Sequence, residues 1–179
     1  MIRDTLTSHF ADPLGVEEVD LRRLVWREDE RTGILIESVG RWRGDIVGKR
    51  PAIVIKRNAR QNVRIGIGDI VGPDSVGNLS YQTFWLGSHT LFCITENEAQ
   101  SELLATEVQR HLTEFGPVLR DQLRLYRFQV TEVGVAAIAE EARDAFTTPV
   151  TVGWVYTEMW KVQPEARKIR AINLSILLD

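Results

Sequence analysis

Three histidines, one cysteine and five tryptophans are the side chains from which a reaction centre or an aromatic recognition surface would be assembled. His9, His89 and His111 are far apart, so no pair has the i, i+4 spacing that puts two imidazoles on one helix face to grip a metal. Only folding could bring them together, and no metal or other cofactor is expected; His111 reads as a helix-flank residue packing its ring edge. Cys93 lies in an apolar run, where a thiol is held protonated and inert, so it is not expected to be a nucleophile. The glycines at 66, 68 and 72 resemble a phosphate loop only superficially. They lack a lysine, and Pro73, Asp74 and Ser75 follow where a helix N-terminus would have to present its amides. The strand-like segment ending in Lys56 has Val54 where a nuclease would need a metal-binding carboxylate. No catalytic residues are assigned.

The tryptophans say more. Trp42 stands between Arg41 and Arg43 in a glycine-bounded stretch, and Trp85 follows Phe84 just before Gly87. Aromatic rings beside arginines make a contact surface, since both give large buried area per ordered torsion; stacking of bases on Trp42 is the competing reading. Trp26, Trp154 and Trp160 are expected in the core.

Charge is segregated along the chain. The net charge is only −3, with a pI near 5.7. Residues 1–40 nonetheless carry 5 basic and 9 acidic side chains, and residues 41–70 carry 8 basic and 2 acidic. The basic set is Arg41, Arg43, Lys49, Arg50, Lys56, Arg57, Arg60 and Arg64. With Trp42 these residues form the candidate partner-binding set. A basic block between acidic flanks suits complementary surfaces, on nucleic acid or on other copies of the chain, although solvated charges on a strand and its loops would look the same.

The elements that must position these residues can be read from periodicity. Apolar residues 2, 6 and 10 give a short helix ended by Pro13 and Gly15, and a second helical piece runs from Val16 to Val25. Strands are expected within 33–40, at 51–55, 63–69, 82–95, 126–131 and 150–160, and last at 172–178. The cluster from Gly72 to Asn78 reads as a surface loop. Thr95 and Glu98 have the spacing of a capping box for a helix over about 96–115, with the apolar stripe Leu104, Val108, Leu112 and Phe115. Pro117 opens a shorter helix, and 133–146 is either helix or long connection. With 179 residues, 44% of them apolar, the chain has the profile of one globular α+β domain (1–179). It comprises a helical N-terminal segment (1–30) and a mainly antiparallel sheet with the long and short helices packed on it. One cysteine excludes a disulfide scaffold. No window approaches 18 apolar residues, and the charged first ten residues are unlike a secretion signal, so a cytosolic start and no membrane partner are expected.

From Ser88 to Val162 the order of elements is a strand entering a capped helix, a short helix, the strand at 126–130, and then the strand at 149–156 with Trp160. This order resembles the tail-terminator and related neck (tail-completion) proteins of long-tailed bacteriophages. The segment Arg50 to Lys56 is similar to the extended piece that precedes this unit in some of them. The likeness covers about two fifths of the chain and leaves the first 40 residues and the 169–179 stretch unaccounted for. It implies a non-enzymatic virion protein made in the host cytoplasm. Such a protein forms a ring, usually a hexamer, that closes the tail tube and joins it to the head connector (stopper), with DNA passing through the lumen. Two alternatives stand beside it: a nucleic-acid-binding module using the basic segment 41–64, and a small cytosolic enzyme with a site built from dispersed residues.

Overall fold

A computed structural model of the chain describes residues 1–12, 14–25, 33–38, 51–64, 66, 69–73, 78–139 and 142–162. In chain order its elements are α1 (Ile2–Ala11), α2 (Val19–Val25), β1 (Leu35–Ser38), β2 (Ala52–Arg57), β3 (Gln61–Arg64), β4 (Ile70–Pro73), β5 (Leu79–Thr95), α3 (Glu98–Glu114), α4 (Gly116–Gln122), β6 (Arg127–Val133), β7 (Ala137–Ala139) and β8 (Ala142–Val162). The architecture is α+β. The sheet runs β1-β2-β5-β8-β6, with β3 and β4 also on β5 and β7 on β8. All of these pairings are antiparallel except β1 with β2.

The spine is the ladder between β5 and β8, in register from Leu79 opposite Val162 to Thr95 opposite Phe146. Side chains alternate across a strand, so odd residues of β5 and even residues of β8 share one face. At the Thr95 end that face is fully buried: Leu91, Cys93, Val150 and Val152 meet Leu104, Val108 and Leu112 of α3 and Leu6 of α1. Among these Cys93 is 0% exposed, and burial pushes its thiol far above the usual range, so it is inert packing. A buried hydroxyl pair ties α3 to the ladder. Thr148 Oγ1 donates to Ser101 Oγ over 2.8 Å, while Ser101 Oγ donates to the Glu98 carbonyl.

Several expectations are corrected. Thr95 is still the last residue of β5, and its hydroxyl donates to the Asn97 carbonyl; the cap is Asn97, whose Oδ1 accepts from the Ala99 amide at 2.9 Å. The chain needs two residues to turn from sheet to helix, which leaves the threonine too far back to cap. Phe115, the last member of the apolar stripe, is 43% exposed because it stands at the junction of α3 and α4, beyond the sheet. The stretch 133–146 is neither helix nor plain connection: β7 and the start of β8 pair there, because the sheet edge supplies hydrogen bonds that override the alanines' helical preference. Gly72 and Pro73 end β4 rather than opening a loop, paired with Ser80 and Leu79. Of the single strand expected over 63–69, Val63 and Arg64 belong to β3. Trp26 and the 172–178 strand lie outside the described residues.

Candidate partner surface

The described helices pack on the sheet face at the end of Leu91, Cys93, Val150 and Val152. Past the pair formed by Gly87 and Trp154 none of the described helices covers this face, on which Trp85, Thr83 and Tyr81 of β5 stand opposite Tyr156, Glu158 and Trp160 of β8, the rings half-buried or exposed and Thr83 buried between its neighbours. Rings and hydrogen bonds organise it. Trp160 stacks on Tyr81 with centroids 5.5 Å apart, Trp85 Nε1 donates to Glu158 at 2.6 Å, and Tyr156 stacks on Trp154 at 5.7 Å. Trp154 can lie flat across β5 only because position 87 is glycine: a Cβ there would come within 2.2 Å of the indole. Two of the three tryptophans expected in the core are therefore here instead, Trp154 half-buried and Trp160 40% exposed.

Four of the nine candidate residues fall in the described structure, all exposed at the ends of β2 and β3. The Arg60 guanidinium lies over the Trp85 ring, 5.9 Å from its centroid. Arg57 stands opposite His89 and Arg64 opposite Thr83, on the aromatic face, while Lys56 stands opposite Thr90 and points to the other side. Arg41, Trp42, Arg43, Lys49 and Arg50 lie outside the described residues.

Where the helical layer ends, a notch of about 410 Å³ opens onto this face. Ile2, Leu123, Leu125, Phe128, Trp154 and Tyr156 form its apolar walls, with His89, Arg124 and Thr157 as its polar members. His89 is kept neutral, its pKa lowered by burial first and by the nearby Arg57 charge second. Its Nδ1 accepts from Trp154 Nε1 at 3.0 Å, which leaves the ring proton on Nε2 as a donor. Arg124 sits just after α4 with φ at +52°. Its amide donates to the Asp121 carbonyl and that of Leu125 to the Arg120 carbonyl, the double closure in which the left-handed residue is usually glycine.

Elsewhere the helical layer exposes acidic residues. Asp12, Glu17, Glu18 and Asp20 around the α1–α2 corner and Glu96, Glu98 and Glu102 at the start of α3 are all exposed. Beneath that layer, folding brings two histidines together that the sequence separates by a hundred positions. His9 stacks on His111 with ring centroids 4.0 Å apart, and His9 Nε2 donates to the buried Glu107 carboxylate at 2.7 Å. Arg110 holds the same carboxylate at 2.6 Å and reaches Glu17 at 2.7 Å. His111 thus packs by its face against His9, and its ring is also 4.7 Å from that of Phe115. Stacked imidazoles aim their nitrogens in parallel planes rather than at one point, and among the described residues no group of three or more His, Cys, Asp or Glu is placed to hold a metal.

Periodicity places Phe128 and Tyr156 on strands, but His89, Arg124, Phe128 and Tyr156 are not in the candidate partner-binding set read from the sequence. One signal for part of the surface was present: 154, 156, 158 and 160 alternate as Trp, Tyr, Glu, Trp, an aromatic row on one strand face opposite a glycine. Among the described residues no helix is long and apolar enough to cross a membrane. No protein-family model matches the chain, and no curated protein sequence matches it.

Proposed function

We propose that this chain is a structural virion protein that assembles as a ring in the neck of a long-tailed bacteriophage, where it ends the tail tube and meets the head connector. The observation that carries the reading is the projecting half of the β5–β8 ladder. It offers tryptophan, tyrosine and arginine to the outside on a rigid sheet, and these residue types dominate the centres of protein interfaces. The order β5, α3, α4, β6, β8, with α3 and α4 as the long and short helices of the unit, supports the same family resemblance. A basic aromatic surface and exposed acidic residues on the helices of one protomer favour head-to-tail contacts, which close into a ring when the rotation allows.

The test is the mass of the purified chain in solution together with negative-stain images. Closed rings are expected. The double substitution Arg41→Glu with Arg43→Glu should preserve the fold, weaken assembly and stop the joining of heads to tails; normal assembly would remove the 41–50 segment from the contact. One specific observation favours a second reading, a nucleic-acid-binding module: Arg60 stacked on Trp85 beside Arg64 is also a platform for a base and its phosphate. Duplex and single-stranded DNA titrated at rising salt decide it, since phosphate-driven binding falls steeply as counterions are added.

A further inference from the structure

The notch and the acidic corner have complementary chemistry. The corner between α1 and α2 forms a knob at the described residues 14–20: Val16 and Leu21 are fully buried beneath it, the Arg22 guanidinium holds the Val16 carbonyl, and Asp12 accepts from the Leu14 amide at 2.9 Å. These anchors turn Leu14 and Val19 outward, 81% and 55% exposed, in the company of exposed Glu18 and Asp20. The notch is the converse surface, with apolar walls and with Arg124 and His89 among its lining. Its volume is in the range of clefts that bury small ligands, roughly 300–1,000 Å³. Ile2, the first residue of α1, lines the notch, whereas the knob follows the last residue of that ten-residue helix, about 15 Å away along its axis. One protomer therefore cannot fill its own notch with its own knob.

We infer that the notch formed by His89, Arg124, Phe128, Trp154 and Tyr156 receives the Leu14, Val19 and Asp20 knob of a second copy of this chain. This contact rests on the ring reading and specifies which two surfaces meet. Leu14 and Val19 enter the apolar cleft over Trp154 and Tyr156, and Glu18 or Asp20 meets Arg124 at the mouth. Because the two patches are different, the contact is head-to-tail and leaves one free knob and one free notch on every open oligomer. It also accounts for an arginine where glycine would cost less. A left-handed backbone is unfavourable for any residue with a Cβ, and such a residue is kept where its side chain has work to do.

A complementation experiment tests the contact. Arg124→Glu with Tyr156→Asp removes the notch, and Leu14→Arg with Val19→Arg removes the knob; the four positions are exposed or half-buried, and circular dichroism checks that each variant folds. Each variant alone should be monomeric by mass photometry, and an equimolar mixture should give a one-to-one heterodimer, because one intact knob and one intact notch remain. Arg124→Gly supplies a second readout if the first pair folds poorly: it should raise the melting temperature of the monomer while weakening assembly. Rings from either double variant alone, or a mixture that stays monomeric, would overturn the contact and leave the ring itself standing. A monomeric wild-type chain would overturn both. Loss of salt-sensitive DNA binding in the Arg124 variants with assembly unchanged would assign the notch to nucleic acid and overturn the contact.

Discussion

His111 makes the stability of this protein depend on pH in a window set by its surroundings. The ring is 5% exposed, with the His9 imidazole stacked on one side and Phe115 nearby, and its Nε2 is buried without a hydrogen-bond partner. Burial first, and the neighbouring His9 second, push its pKa down from 6.5 to about 4; Glu114, a hydrogen bond to the Thr5 backbone and Glu107 oppose this more weakly. Between those two values the unfolded chain binds a proton at this position that the folded chain refuses. Folding stability is therefore lost as pH falls from about 6.5 to about 4, and is unaffected by this group above that range. At about 1.4 kcal/mol per pH unit the full loss is about 3 kcal/mol, a large part of the margin of an ordinary domain. The measurement is urea unfolding at several pH values from 7.5 to 4, for the wild type and for His111→Phe, which retains an aromatic ring and cannot titrate. The wild type should lose about 2–3 kcal/mol more than the variant across the window, since ionisable groups remote from position 111 behave alike in both and cancel in the difference. Parallel curves would refute the assignment of a buried neutral imidazole at this position.

Val108 is 0% exposed in the middle of the α3 stripe, so Val108→Asp strands a carboxylate without a partner; the expected cost exceeds about 4 kcal/mol and shows as loss of soluble expression. Gly87→Ala places a methyl group inside the Trp154 ring position, and should lower stability by about 1–3 kcal/mol and shift the Trp154 indole N–H resonance in an NMR spectrum. Cys93 should resist a thiol reagent in the native protein and react fully in denaturant, measured by mass spectrometry after timed quenching.

The histidine pair shows where local reading stops. Nothing in the spacing of His9, Glu107 and His111 announces that they meet, because contact between α1 and α3 is decided by how both helices lie on the sheet. The basic segment was legible as charge, yet its residues part company once folded. Strand alternation sends Lys56 to one face and Arg57 to the other, and Arg60 finds Trp85 across a strand pair.

What the sequence determined by itself is whatever depends on neighbours a few positions away. The stripe of α3, the alternation of β8, the inert setting of Cys93 and the swing of charge from residues 1–40 to 41–70 are all of this kind. Burying apolar area at a fixed period constrains the chain locally, whatever its topology. Tertiary structure alone decided that the β5–β8 ladder outruns the described helices, so that the residue pattern which fills a core at Val150 and Val152 becomes an aromatic face with Tyr156 half-buried and Trp160 exposed. The same alternation serves both ends, and only the extent of the helical layer distinguishes core from surface. That extent comes from long-range packing of α1, α3 and α4, for which no short stretch of residues carries a signal.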